Sequence, residues 1–202
     1  MKIYFDGCSW TQGAELENPE EERYSRLICD KLGAEETNLS IVGGSNDRIV
    51  RNLLYENTIV SYDLAIIQMT FPTRTEYWDD KWIKVSAKHN YNRWLYGENG
   101  DIRRIAEKFS DHNQFWKYYY TNVASEELFR VKENIHKQTI TNHCKVNDVP
   151  LILCSINTWS KLHFDYMMKV NSETRAEKGH PNRLGHQKIA ENVIKLVPRG
   201  VF

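Results

Sequence analysis

Residues 63–69, with the sequence DLAIIQM, form a near-continuous apolar run. A run of this kind is typical of a strand that is buried on both faces of a parallel sheet. Residues 150–156, PLILCSI, repeat the signal. Residues 2–6 and 37–42 are short, β-prone and followed by glycine, so they predict two more strands. A fifth strand is expected within residues 160–170, where the pattern is weaker.

Helix signals separate these strands. Residues 19–32 open with a proline and three acidic residues and end before a glycine, while Ser45 is a suitable N-cap for a helix through about Glu56. Residues 184–196 carry apolar side chains at helical spacing. The alternation predicts an α/β fold with a doubly wound parallel sheet, in which ligands bind outside the carboxyl ends of the strands.

Residues 70–147 are too long for a simple crossover and predict an aromatic-rich, partly helical insertion. Helical spacing dominates from residue 101 onward, with a break near residues 110–113, whereas residues 71–100 show no clear period. Of the 24 Phe, Trp and Tyr residues in the chain, 13 lie within residues 71–120. Because no internal repeat or low-complexity linker occurs, all 202 residues are predicted to form a single domain.

Composition narrows the range of functions. The 27 basic and 27 acidic residues give no net charge, which argues against a nucleic-acid partner. No apolar run reaches the length of a membrane span, and the N-terminus lacks the apolar stretch of a signal peptide, so we expect no membrane partner and a cytoplasmic location. No metal site and no cofactor are predicted. The four cysteines are scattered and are expected to be free thiols: Cys8, Cys29, Cys144 and Cys154.

Ser9 is the first candidate for chemistry. It lies in the segment GCSWTQG at residues 7–13, directly after the first predicted strand, where a hydroxyl can be presented at the sheet edge. A serine in a glycine-containing turn also serves as a simple turn or cap residue. The thiol of Cys8 is an alternative nucleophile.

Two histidines near the end of the chain are candidate general bases. His180 lies in a loop before the last predicted helix, and Glu177, three residues earlier, could hold its second ring nitrogen. His186 lies within that helix and is the competing candidate. A histidine in either position also has a purely structural reading.

The turn GGSN at residues 43–46 opens a predicted helix, so its backbone N–H groups suit an anion; an ordinary helix cap is the alternative. No GxGxxG or GxxxxGK[ST] motif occurs, which argues against a nucleotide-binding protein.

Taken together, these segments resemble the SGNH (GDSL-type) hydrolase family. The family's motifs are Gly-Asp-Ser with a later Gly, then Asn followed by Gly-x-Ser/Thr, and finally Asp-x-x-His-Pro, which often continues as Asn-x-x-Gly-His. The matching residues are Gly7, Ser9 and Gly13 (with Cys8 for Asp), Asn38, Gly43 and Ser45, and Glu177 (for Asp), His180, Pro181, Asn182, Gly185 and His186.

The resemblance implies a flavodoxin-like three-layer α/β/α sandwich and a serine esterase mechanism. Ser9 would attack an ester carbonyl, His180 would take the serine proton, and Glu177 would orient the imidazole. The backbone N–H groups of Ser9 and Gly43 would contact the oxyanion.

The family's remaining motif, Gly-x-Asn-Asp, is absent where residues 68–74 read QMTFPTR. The side-chain amide of Asn46 or Gln68 could replace the missing oxyanion donor, and Asn46 is favoured because it lies just after the turn formed by Gly43 and Gly44. Arg74 could hold an acidic group of a substrate, or form a plain surface ion pair.

The sequence therefore predicts an esterase for a small acyl ester, acetyl or carbohydrate in nature, that works through a Ser-His-Glu triad. The alternative is a non-catalytic module on the same fold that binds a glycan or a partner. The lost motif favours this alternative. The sequence makes no prediction about the oligomeric state.

Overall fold

Five parallel strands form the main sheet of the computed structural model, which describes residues 1–55, 59–78, 80–86, 115–116 and 118–200. When only the five strands of this sheet are numbered in chain order, their order across the sheet is 2-1-3-4-5, which is the flavodoxin-like order. The predicted α/β fold with a parallel sheet is confirmed. In chain order, with the hairpin strands included, the strands are β1 (Lys2–Asp6), β2 (Glu35–Asn38), β3 (Leu64–Met69), β4 (Arg74–Trp78), β5 (Trp82–Ser86), β6 (Leu151–Ser155) and β7 (Tyr166–Met167).

Strand β3 lies at the centre of the sheet, as its apolar run predicts. All six of its residues are buried. Ile66 pairs with Phe5 of β1 on one side and with Ile152 of β6 on the other. The carboxyl ends of β1, β3 and β6 therefore meet at one edge of the sheet.

Helices cover both faces of the sheet. One core cluster contains buried side chains of the helices Tyr24–Leu32 and Arg183–Ile194, and the other contains buried side chains of the helices Asn46–Tyr55 and Glu126–Val146. These two clusters give the three-layer α/β/α arrangement. The helices are α1 (Ser9–Gln12), α2 (Pro19–Glu22), α3 (Tyr24–Leu32), α4 (Asn46–Tyr55), α5 (Glu126–Val146) and α6 (Arg183–Ile194), with a 3₁₀ turn at Ile59–Ser61 and a π turn at Tyr119–Val123.

The helix predicted over residues 19–32 is divided at Arg23. The backbone of Arg23 is extended, with φ −65° and ψ 146°, so α2 ends before it and α3 begins after it. The Arg23 guanidinium donates to both carboxylate oxygens of Glu36, at 2.9 and 3.0 Å. This partly buried ion pair holds the chain at the break.

The strand predicted over residues 37–42 is shifted to Glu35–Asn38. The Asn38 side chain ends the strand because its Oδ1 accepts the Ser40 N–H at 3.0 Å, while its Nδ2 donates to the Thr11 carbonyl at 3.1 Å. A side chain that binds nearby backbone in this way competes with the sheet ladder.

The region between β3 and β6 contains an antiparallel hairpin, β4–β5, that sequence periodicity did not predict. Helix α5 agrees with the helical spacing in the later part of this region. The helical prediction for residues 101–114 and the break near residues 110–113 lie outside the described residues. None of the helices in the described ranges is long and apolar enough to cross a bilayer.

Candidate active site

The segment after β1 forms a tight turn that leads directly into α1. A Cβ at Gly7 would lie 2.4 Å from Thr11 Oγ1, so only glycine fits there. Cys8 is extended, and Ser9 is the first residue of the short helix, which ends at Gly13 with φ 88°. The sequence therefore folds so that Ser9 lies at the carboxyl edge of the sheet.

Ser9 and His180 are joined by a hydrogen bond, with 3.0 Å between Ser9 Oγ and His180 Nε2. The second ring nitrogen of His180, Nδ1, lies 2.5 Å from Oε2 of Glu15. The structure thus brings a hydroxyl, an imidazole and a carboxylate into one continuous chain of hydrogen bonds, although the three residues come from two distant parts of the sequence.

Glu15 is fixed in place by the loop that carries His180. Its Oε1 accepts the Lys178 N–H at 2.6 Å, and its Oε2 accepts the His180 N–H at 3.1 Å. Burial raises the pKa of Glu15, but the hydrogen bonds from Lys178 and His180 outweigh burial and hold the pKa below its ordinary value. The carboxylate is therefore ionised and can stabilise a charged imidazole.

The backbone of Glu15 has φ 69°, in the left-handed region that non-glycine residues seldom adopt. Such a conformation costs on the order of 1–3 kcal/mol and is concentrated at functional sites. The side chain of Glu15 is 14% exposed. Glu15, the residue that contacts His180, thus has an uncommon backbone conformation in the turn after α1.

The expectation that Glu177 holds the second ring nitrogen of His180 is corrected by the structure. A tight turn joins the Ala176 N–H to the His180 carbonyl at 2.8 Å, with Gly179 in the left-handed region at φ 99°. In this turn Glu177 is exposed, and the adjacent backbone N–H groups bind Glu15 instead. Nothing in the spacing of the histidine motif indicated Glu15.

His186, the competing histidine, is fully buried in the core. Its Nδ1 accepts the Tyr24 N–H at 3.1 Å, and its ring stacks on the Tyr24 ring with a centroid distance of 6.0 Å. Burial, followed by the charge of His180, lowers the pKa of His186 to about 4, so it is neutral at pH 7. Its role here is structural.

The glycine turn before α4 packs directly against the turn at residues 7–9, which carries Ser9. A Cβ at Gly44 would lie 2.7 Å from the Gly7 carbonyl oxygen, so glycine is required for the two turns to meet. The Gly44 N–H donates to the Ile41 carbonyl at 3.0 Å and is not available to an oxyanion, which corrects that expectation for Gly44. Among the described residues, the N–H of Gly43 has no acceptor, and Gly43 itself is left-handed with φ 71°.

Asn46, the favoured substitute for the missing oxyanion donor, binds the backbone of Thr70 instead. Its Oδ1 accepts the Thr70 N–H at 2.8 Å, and its Nδ2 donates to the Thr70 carbonyl at 3.0 Å. Asn46 is 0% exposed, so its amide cannot reach a substrate. It ties the start of α4 to the end of β3.

Gln68 is also fully buried, and its side chain contacts the turn at residues 7–9. Its Oε1 accepts the Cys8 N–H at 3.1 Å and the Thr11 hydroxyl at 3.0 Å, while its Nε2 donates to the Met69 carbonyl at 2.8 Å. The amide therefore holds the Cys8 backbone before Ser9 and the Thr11 side chain after it, and does not donate to an oxyanion. The thiol of Cys8 is buried as well, and it faces Gln68 Oε1 at 3.2 Å.

Arg74 is 4% exposed and does not face solvent as a holder of acidic substrate groups would. Its Nη1 donates to Thr70 Oγ1 at 2.8 Å and approaches the Gly44 carbonyl at 3.4 Å, and its guanidinium lies 5.3 Å from the centre of the Phe71 ring. It links the segment after β3 to the glycine turn.

The sequence did not predict that a buried carboxylate supports the turn at residues 7–9. Asp6 is 0% exposed and accepts hydrogen bonds from the Gly7 N–H at 2.7 Å, Arg48 at 3.0 Å, Asn52 at 2.8 Å and the Tyr4 hydroxyl at 3.2 Å. Burial raises the pKa of Asp6, and these donors act against that rise. Asp6 is a fully hydrogen-bonded support for the turn.

No described part of the chain brings together three His, Cys, Asp or Glu side chains in a way that could hold a metal ion.

The fold is that of known ester hydrolases. The structure is similar to the psychrotrophic esterase EstA from a Pseudoalteromonas species, with a TM-score of 0.53 and 11% identity over 96% of this chain and 94% of EstA. It is also similar to a carbohydrate esterase whose active site displays divergent catalytic and non-catalytic binding functions, with a TM-score of 0.53 and 10% identity over 99% of this chain and 66% of that protein.

At these identities the likeness is one of fold. No protein-family model matches the sequence, and no curated protein matches it significantly.

Proposed function

We propose that this protein is a serine ester hydrolase of the SGNH (GDSL) type that cleaves a small acyl ester, such as an acetyl ester. The observation that carries the proposal is the hydrogen-bond chain from Ser9 Oγ through His180 to Glu15. The chain lies at the carboxyl edge of a parallel sheet, where such folds bind their ligands.

In the proposed mechanism, Ser9 Oγ bonds to the ester carbonyl carbon while His180 Nε2 takes the hydroxyl proton. The carbonyl π electrons move to oxygen, and a tetrahedral oxyanion forms. His180 then gives the proton to the leaving alcohol oxygen as the C–O bond breaks. Water repeats the sequence on the acyl-enzyme, releasing the acid and restoring Ser9.

Glu15 serves as the third member of the triad in this mechanism. Its carboxylate accepts the Nδ1–H of His180, which leaves Nε2 unprotonated and ready to act as a base. Its negative charge then stabilises the imidazolium that forms after proton transfer. The triad is thus Ser-His-Glu, with the acid supplied by the loop after α1.

Two backbone N–H groups are proposed to contact the oxyanion. The N–H of Ser9 lies at the first helical position, where intrahelical acceptors are absent. The N–H of Gly43 comes from the turn that packs on Gly7. The side-chain amide of the family's third motif has no counterpart here, and one such donor is typically worth on the order of 10²–10³ in rate. We therefore expect slower hydrolysis than in an enzyme with three donors.

A non-catalytic binding module is the second candidate, and one observation favours it. Ser9 is 1% exposed, so an ester carbonyl reaches Oγ only after some side-chain or loop movement. A module that binds a glycan or a partner without hydrolysis would not need that access.

A serine-reactive fluorophosphonate probe separates the two candidates. We expect covalent labelling at Ser9, located by peptide mass spectrometry, and loss of both labelling and 4-nitrophenyl acetate hydrolysis in Ser9→Ala. Ser172→Ala, which changes an exposed serine, is the matched control and should behave as wild type. Folded protein that is neither labelled nor active would favour the binding module.

A further inference from the structure

A cavity of about 300 Å³ opens at the carboxyl edge of the sheet, beyond β3 as seen from Ser9. Its walls come from the loops after β3 and β6 and from the first turns of α5. Neighbouring strands lie about 4.8 Å apart, so these loops start roughly 5–10 Å sideways from the end of β1. The lining residues that carry the argument are Phe71, Phe129, Glu133, Asn157, Trp159 and Ser160.

The polar part of the cavity is built around a buried carboxylate. Glu133 is 3% exposed, its Oε1 accepts Asn157 Nδ2 at 2.8 Å, and its Oε2 accepts the Ser160 hydroxyl at 2.8 Å. An ionised carboxylate has about four acceptor positions. Two of them are used by these neighbours, and because Glu133, unlike Asn46 and Arg74, lines the cavity, a remaining acceptor position can take an O–H donor of a ligand.

The apolar part of the cavity is aromatic. Trp159 is 66% exposed, and its ring lies 6.4 Å from the ring of Phe71, tilted by 44°. The backbone N–H of Trp159 donates to Asn157 Oδ1 at 3.3 Å, so the indole is joined to the polar cluster at its base. A flat apolar surface thus stands beside a pair of buried acceptor oxygens.

We propose that this cavity binds a neutral pyranose ring that forms part of the alcohol released from the ester. A sugar ring presents an apolar C–H face, which packs on an aromatic surface, and hydroxyl groups that donate to carboxylate oxygens. The catalytic meaning of this subsite rests on the proposed esterase function. Binding of the sugar ring depends on the cavity alone, whether or not Ser9 is catalytic.

Size and charge both agree with this occupant. A volume of about 300 Å³ is at the lower end for small-molecule sites, which suits one ring better than a long chain. The charged side chains of the lining are two acidic and two basic ones, so no excess of positive charge favours a sugar acid over a neutral ring: Glu126, Glu133, Arg130 and Lys161. At the rim, Arg130 is already paired with Glu127, with 2.9 Å between Nε and Oε2.

Binding is tested first in the absence of hydrolysis, with Ser9→Ala protein and ligand-observed NMR. The probes are methyl β-D-xylopyranoside and methyl β-D-glucopyranoside at millimolar concentration, and cyclohexanol is the apolar control. We expect saturation transfer to at least one glycoside, with loss of at least tenfold in affinity when Trp159→Ala or Glu133→Gln is added. Trp78→Ala is the matched control, because Trp78 is 62% exposed at the tip of the β4–β5 hairpin.

Failure of both glycosides to bind, equal binding in the Trp159→Ala protein, or a preference for cyclohexanol would overturn the proposal. Circular dichroism confirms that each variant is folded, and Trp159→Phe, which keeps an aromatic surface, should restore part of the affinity.

Kinetics then connect the cavity to Ser9. We expect Trp159→Ala to lower kcat/KM for a mono-O-acetylated methyl xyloside at least tenfold and to leave ethyl acetate hydrolysis within about twofold, since an ethyl group has no ring face to pack on the indole. Equal losses on both esters would overturn the subsite. A wild-type protein that binds glycosides through Trp159 but hydrolyses neither ester would instead refute the esterase function and leave the sugar site standing.

Discussion

Replacing Glu15 with glutamine tests the catalytic site most directly, because every orientation of the new amide breaks one of its contacts. If the amide oxygen stays at the Lys178 N–H, the NH₂ group faces both the N–H and the ring Nδ1 of His180. The imidazole must then accept at Nδ1 and carry its proton on Nε2, facing Ser9, where it cannot act as a base. If the amide is turned over, its NH₂ group meets the Lys178 N–H at the position now spanned by a 2.6 Å bond.

The size of the effect follows from these contacts. A hydrogen bond to a charged group contributes about 1.5–3 kcal/mol, and about 1.4 kcal/mol corresponds to a tenfold change in rate. Loss of the bond to His180 alone would lower the rate about 10- to 150-fold. Because the wrong tautomer adds to this loss, and costs about 10⁴ in kcat in the serine protease template, we expect kcat/KM to fall by about 10²–10⁴.

The assay is steady-state hydrolysis of 4-nitrophenyl acetate by wild type, Glu15→Gln and Glu177→Gln, with a urea titration of each protein to confirm folding. Glu177→Gln is the matched control, since Glu177 is exposed, and it should stay within about twofold of wild type. A Glu15→Gln enzyme of wild-type activity, or a large loss in Glu177→Gln alone, would refute the assignment of Glu15 as the triad acid.

Three further substitutions test the supporting structure. The folded pKa of His186, about 4, lies below the unfolded value of about 6.5, so protonation of the unfolded state lowers the free energy of unfolding of wild type by about 2 kcal/mol between pH 7 and pH 5. In His186→Asn this part of the pH dependence should disappear from urea unfolding, and an unchanged pH dependence would contradict the role of His186. Gln68→Leu should lower the free energy of unfolding by about 1–3 kcal/mol, since it leaves the buried Cys8 N–H without an acceptor, and a change below about 0.5 kcal/mol would count against the role of that amide. Asn46→Ala should likewise cost about 2–4 kcal/mol in urea unfolding while changing kcat little in the folded protein; a large loss of kcat at unchanged stability would restore Asn46 as an oxyanion donor.

The sheet was predictable because its strands carry strong local patterns. The apolar run of β3 and the similar run of β6 require burial on both faces, and only the centre of a parallel sheet provides it. The β4–β5 hairpin was not predictable in the same way. Its pairs, such as Trp78 with Trp82, gain their stability across strands, and sequence periodicity does not report cross-strand contacts.

The positions of Ser9 and His180 in the site followed from the motif resemblance, whereas the position of Glu15 did not. Glu15 and His180 are 165 residues apart in the chain. Their contact depends on the left-handed backbone of Glu15 and on the N–H groups of Lys178 and His180 that bind its carboxylate. These are properties of the folded loops. Likewise, the side chains of Asn46 and Gln68 have the chemistry of an oxyanion donor, and only their burial and their partners show that they bind backbone groups instead.

Because Glu15 holds the histidine loop through the backbone N–H groups of Lys178 and His180, the proposed triad does not depend on which side chains stand at residues 176–178. Gly179 is different, because its φ of 99° favours glycine. Such a loop can change in sequence while the imidazole stays aligned, so the proposed mechanism does not require an acid three residues before the histidine. Chains of this kind would be passed over by any search that requires an acid three residues before the histidine. A search that also accepts a carboxylate from the loop following the nucleophile would recover them.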